Sequence, residues 1–133
     1  MTTSTDAQLR TRSHLADEAL VAINARRTAR ASAGAVAATF DEYRDEAYRL
    51  ILIALRSREP SIEADDITRP DDLIDAECAL TLAMLFGAAA SKPDDVFALA
   101  AAWWQARYDS ALASASPIDG VRGTGRSFSW SRG

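Results

Sequence analysis

Two short strings, Thr68-Arg69-Pro70-Asp71-Asp72 and Ser91-Lys92-Pro93-Asp94-Asp95, share one pattern: a hydroxyl residue, then proline, then two carboxylates. Each reads as a helix start. The hydroxyl is a candidate N-cap, the proline lies in a first turn where its missing N–H costs nothing, and the carboxylates sit at the positive end of the helix dipole. After the first string, Leu73, Ile74, Leu80, Met84 and Leu85 recur at helical spacing, and Gly87 reads as the stop. After the second, Phe97, Ala100, Trp104, Tyr108 and Leu112 form a stripe on one face. The short stretch 88–90 between them can only reverse the chain, so the two helices are expected to pack antiparallel.

The rest of the chain points the same way. Of the 133 residues 48% are apolar, much of that alanine, the best helix former, and only four prolines and six glycines interrupt it. The expected fold is all-α: a small antiparallel bundle of three to four helices with an extended C-terminal arm. Three segments are expected: an N-terminal amphipathic helix and hinge over 1–35, a helical core over 36–113 and an arm over 114–133.

Residues 6–30 read as one amphipathic helix, with Leu9, Ala16, Leu20 and Ile23 stepping by three and four. Its apolar stripe is thin, so it needs a surface to lie on. Leu9, Leu20 and Ile23 are the expected contacts, at least as much with a neighbouring subunit as with the chain's own body. Ala31-Ser32-Ala33-Gly34-Ala35 suits a hinge, and removal of residues 1–30 is expected to leave a folded remainder. Residues 36–57 predict a regular helix with Val36, Phe40, Tyr43, Ala47, Leu50 and Ala54 in one seam, widened by Ile51 and Leu55, and Asp41, Glu42, Arg44, Asp45, Glu46 and Arg49 outside. Phe40, Leu50, Leu80, Leu85, Phe97 and Trp104 are the expected core. Adjacent Trp103 and Trp104 must point about a hundred degrees apart, one inward and one toward a pocket or a partner.

The net charge of −4 is unevenly spread. Residues 1–35 carry five arginines against three acids, 36–113 seven basic against fifteen acidic groups, and 114–133 Arg122, Arg126 and Arg132 against Asp119. An acidic middle between basic ends favours arm-to-body contact between copies over a general nucleic-acid surface. After Leu112 the chain turns glycine- and serine-rich. It ends with Phe128 and Trp130 on one side of an alternating run and Ser127, Ser129 and Ser131 on the other. That is a strand suited to adding to an edge.

No catalytic constellation is visible. The single His14 and single Cys78 lie on different helices, so no Cys/His pair forms, and Cys78 falls in an apolar pattern that suits a buried thiol. Gly120-Val-Arg-Gly-Thr-Gly125 opens no helix and so is no phosphate loop. Asp65, Asp66, Asp71, Asp72 and Asp75 lack the glycine and spacing of a calcium loop. No enzymatic activity, cofactor or metal is expected. No apolar run reaches membrane-span length, and the first residues lack the features of a signal peptide, so a soluble, non-exported chain is expected. A small DNA-binding or regulatory protein, with the hairpin as a helix-turn-helix, is the alternative. It is disfavoured because Asp94, Asp95 and Asp109 make a poor face for reading base edges.

One family resemblance can be drawn from residue order. A helix bearing Phe40-Asp-Glu-Tyr43 is followed by a loop ending in Asp66-Ile-Thr-Arg-Pro70. Then come an alanine-rich helix ending at Leu85-Phe-Gly87, a helix with Trp103-Trp104-Gln-Ala-Arg-Tyr108, and a proline-initiated tail. Over residues 36–133 this resembles the small α-helical head–tail connector (adaptor or head-completion) proteins of tailed bacteriophages. The resemblance implies a structural virion protein at the neck, made in the host cytoplasm. Copies would form a ring, dodecameric by resemblance, under the portal protein. The ring would continue the DNA channel without binding DNA specifically and offer a platform to a tail, stopper or tail-terminator protein, with no membrane involved. Phe128 and Trp130, with Arg122, Arg126 and Arg132, are the expected docking residues for the portal or an adjacent copy.

Overall fold

The computed structural model describes residues 4–30 and 37–118. Among the described residues there are five α-helices: α1 (Asp6–Arg12), α2 (Ala16–Arg30), α3 (Phe40–Arg56), α4 (Ile74–Ala89) and α5 (Val96–Ser114). Short 3-10 turns lie at Ala64–Asp66 and Pro70–Leu73, and no strand occurs among the described residues. The chain is all-α.

The central element is α4. Only Asp75, Glu77 and Thr81 are polar along it, and a helix apolar on all sides has to be enclosed. Accordingly α1, α2, α3 and α5 all pack on it. Phe86 near its end stacks on Phe97 at the start of α5, with ring centroids 6.1 Å apart. Leu73 and Ala76 share a cluster with Ala111 and Leu112 at the other end, so the hairpin is antiparallel. Two clusters result. One joins Leu9, Ala16, Ala19 and Ile23 to Leu82, Phe86 and Trp104. The other joins Ala47, Ile51 and Leu55 of α3 to Leu73 and Leu80.

Several local expectations are corrected. Residues 6–30 form two helices, because Ser13 is extended (φ −151°, ψ 120°) and ends α1 with its N–H on the Leu9 carbonyl. Thr5 caps α1 in a reciprocal pair with Gln8. The break allows Leu9 and, beyond it, Ala16, Ala19 and Ile23 to meet one core. Thr68 does not cap the hairpin. Arg69 precedes the Pro70–Leu73 turn, and the N–H groups of Thr68 and Arg69 donate to the Pro117 carbonyl at 2.9 and 2.7 Å. Gly87 is no stop either: α4 runs through it to Ala89. Two more alanines favour continuation, and Arg26 takes up the last carbonyls, donating to Ala88 O at 2.7 Å and to Ala89 O.

The seam of α3 is Phe40, Arg44, Ala47, Ile51 and Leu55: Phe40 and Ala47 fall in it as expected, Ile51 and Leu55 move from its margin to its centre, and Tyr43 and Leu50 move to its edge. Leu50 is therefore half-buried, as is Phe97, whereas Phe40, Leu80, Leu85 and Trp104 are buried as expected. Arg44 was expected outside and is buried, with Asp6 and Asp41 on its terminal nitrogens. Val36 and the Ala31–Ala35 hinge lie outside the described residues. Across that gap Asn24 clamps Ala38, accepting its N–H at 2.7 Å and donating to its carbonyl at 3.2 Å.

Candidate interaction surface

The second hairpin helix begins from a strong cap. The two oxygens of Asp95 accept the N–H of Ser91 at 2.7 Å, of Ala98 at 2.8 Å and of Lys92 at 3.3 Å, and the Ser91 hydroxyl at 3.1 Å. These bonds, the one from Ser91 first, hold its carboxyl well below the usual aspartate range. From there α5 is apolar through Trp104 and mixed beyond it, with Gln105, Arg107, Asp109 and Ser110 exposed, and its broad contact is with α4 alone. Trp104 is its only buried residue. Val96, Leu99 and Trp103 remain 56%, 63% and 55% exposed. Their spacing by three and four puts them on one flank, which continues through Arg107 and Ser110 to Ser114.

Beside this flank lies a cleft of about 590 Å³ lined by Arg12, Asp75, Trp103, Trp104, Arg107 and Ser110. Trp103 and Trp104 meet edge to face, centroids 4.8 Å apart. The Arg107 guanidinium lies over both rings, at 4.8 and 5.6 Å from their centroids. Arg12 reaches across from α1 to Asp75. A second cleft of about 280 Å³ adjoins it, lined by Asp71, Asp72, Asp75, Ala111, Ser114 and Ala115. One end of the surface is thus acidic and the other aromatic and cationic.

The expected site residues fall elsewhere. Leu9 and Ile23 are buried in the chain's own core, and Leu20 packs partly buried against it. In this fold they are not free to serve as the inter-subunit contacts expected of them. The reason is that α4 has an apolar side for α1 and α2 to cover. Phe128, Trp130, Arg122, Arg126 and Arg132 lie outside the described residues. Trp103 and Trp104 do point apart as their adjacency requires, Trp104 inward. Arg12 and Arg107 were missed. The spacing of Arg107 after Trp103 and Trp104 carries a signal for the latter, but nothing in the sequence brings Arg12 to Asp75.

The remaining reactive groups are structurally engaged. Cys78 is buried, and burial pushes its thiol up. Glu77, fully buried, accepts the Ser4 N–H at 2.9 Å and its hydroxyl. Among the described residues no group of three or more His, Cys, Asp or Glu is placed to hold a metal ion, and no helix is long and apolar enough to cross a membrane. No protein-family model matches the chain, and neither curated proteins nor solved structures yield a match.

Proposed function

We propose that this chain is a structural assembly protein, a head–tail connector of a tailed-phage virion, with no enzymatic role. The observation that carries the assembly reading is the α5 flank: a helix rich in apolar residues, backed chiefly by one neighbour, with Val96, Leu99 and Trp103 left to solvent. Helices of that composition call for enclosure, and contiguous exposed apolar patches mark interaction sites. The connector reading adds the resemblance over residues 36–133. Copies stand as a ring between the portal and a tail or stopper protein, and the 117–133 arm attaches through Phe128 and Trp130. The first residues of that arm are already engaged in the subunit. Pro117 is buried with its carbonyl on Thr68 and Arg69, and Ile118 packs against the α3 cluster.

Each arm aromatic can bury about 150–250 Å². At about 25 cal/mol per Å² the pair offers roughly 8–12 kcal/mol as an upper bound. Ordering each arm residue costs about 1–2 kcal/mol of that. A single arm is therefore weak, and repetition around a ring makes the attachment firm. A Phe128→Ser, Trp130→Ser double variant tests this. It is expected to keep the parent's helicity and fail to join heads to tails. Infectious particles that incorporate it fully would contradict the proposal.

A further inference from the structure

We infer that residues 119–133 dock along the α5 flank and cleft of their own chain. The inference rests on the connector reading only for its consequence: arm and flank cover one another until a partner displaces them.

The exit point brings the segment to this surface. Ser114 and Ala115 are themselves walls of the acidic cleft, and Pro117 follows two residues on, at most about 7 Å further. The Pro117 carbonyl is held by the N–H groups of Thr68 and Arg69, directly before the turn that gives the cleft Asp71 and Asp72. The two clefts share Asp75 and Ala111, so they make one continuous run, and the chain leaves at one end of it.

The surface and the segment match in order. From the exit the surface offers first the carboxylates, then the Trp103–Arg107 platform, with Leu99 beyond it. Asp72 and Asp75 each have an arginine beside them, Arg69 and Arg12, and Asp71 has none among the described residues. Each carboxylate can accept several bonds, so the cluster can take up further cations. From Ile118 the segment offers first Arg122 and Arg126, then Phe128 and Trp130. All four stand at even positions and so share one face of an extended chain. Laid along the cleft from the exit, cations meet carboxylates and aromatics meet aromatics. The length suffices. From Ser114 to Trp103 the helix spans about 17 Å at 1.5 Å per residue. The ten residues from Ile118 to Phe128 reach at most about 33–36 Å when extended.

The tether selects the chain's own segment over that of a second copy. A short linker holds its end at an effective concentration of about 1 mM, about a thousand-fold above a second copy at micromolar concentration. A segment that fits this surface therefore fills the one at its own root first.

Disulfide trapping in the full chain tests this. Cys78 stays in place, since its thiol is buried. In a Ser110→Cys, Thr124→Cys chain, mild oxidant is expected to close the bond within one chain at a rate independent of concentration. Loop closure alone supplies part of that rate. The comparison is therefore with the same cysteine pair carrying Trp103→Ser, and with the pair carrying Phe128→Ser and Trp130→Ser. Each should slow closure about ten-fold or more, because the tether is unchanged and only the docking is lost. A rate that either comparison leaves unchanged would overturn the docking. A bond that forms mainly between chains, faster as concentration rises, would overturn the chain's own segment as occupant. Both failures leave the connector reading standing; that reading fails instead if heads join tails without the chain.

Discussion

Arginine outnumbers lysine fourteen to one, and side-chain geometry shows how part of that surplus is used within the fold. Arg26 closes the carbonyl end of α4, and Arg58 closes that of α5, donating to Ala115 O at 3.1 Å and to Leu112 O. A planar fork can reach two carbonyls at once, and its charge complements the negative end of the dipole. Arg26→Ala is expected to destabilise by about 1 kcal/mol, a figure a denaturant titration resolves. Arg44 behaves differently. Its side chain is 9% exposed, whereas Asp6 and Asp41 are 47% and 71% exposed. Removing the buried cation leaves carboxylates that water can solvate; removing both carboxylates strands a buried charge. Arg44→Met should therefore be close to neutral, and Asp6→Ala with Asp41→Ala should cost several-fold more, toward about 3 kcal/mol. Equal costs would show that Arg44 is effectively solvated. For Asp95 the folded carboxyl lies far below its ordinary value of 3.8. A depressed acid stabilises the fold fully above its unfolded-state pKa and loses that contribution as pH falls below it. An Asp95→Ala variant should melt earlier at neutral pH and show a flatter loss of stability below about pH 4 than the parent. A parallel acid limb in both proteins would remove the cap from the explanation.

At the scale of helices, the hairpin was readable because local chemistry decides it. Pro93-Asp94-Asp95 does lead into a helix, though Asp95 rather than Ser91 is the cap and Pro93 stands ahead of the first turn, and the stripe from Phe97 to Leu112 turns Trp104 inward. The helix ends were less readable. Gly87 failed as a stop because Arg26, sixty-two residues before Ala88, holds the carbonyls that a glycine turn would otherwise satisfy. Arg44 failed as a surface residue because Asp6 arrives from another helix. The N-terminal helices invert the earlier expectation most fully. Their stripe is thin in large residues, but Ala16 and Ala19 are fully buried, and small residues allow close approach to α4. Leu9→Ala should cost about 2–5 kcal/mol, and removal of residues 4–30 should unfold the body rather than release it intact. A truncated chain with the parent's melting temperature would restore the view of this segment as an appendage.

For the molecule as a whole, the acidic middle and basic ends read from composition acquire a partial geometry. The acidic stretch supplies the cleft at Asp71, Asp72 and Asp75, while the N-terminal arginines are drawn into contacts with the body, Arg12 with Asp75 and Arg27 with Glu42. The arm's arginines and aromatics remain assigned by sequence alone. What no one-dimensional pattern could show is that α5 keeps an open side, since a helix rich in apolar residues reads the same whether two neighbours cover it or one. The open side is what the proposed assembly role rests on. The test of the proposed connector role is the mass, by light scattering after size exclusion, of the full chain mixed with its proposed partner, a portal protein, for the parent and for a Leu99→Asp, Trp103→Asp variant. The parent should elute with the portal as a complex holding many copies per ring. The variant, helical and monomeric, should elute apart from it. A parent that stays monomeric beside the portal, or a variant that assembles as the parent does, would contradict the assignment.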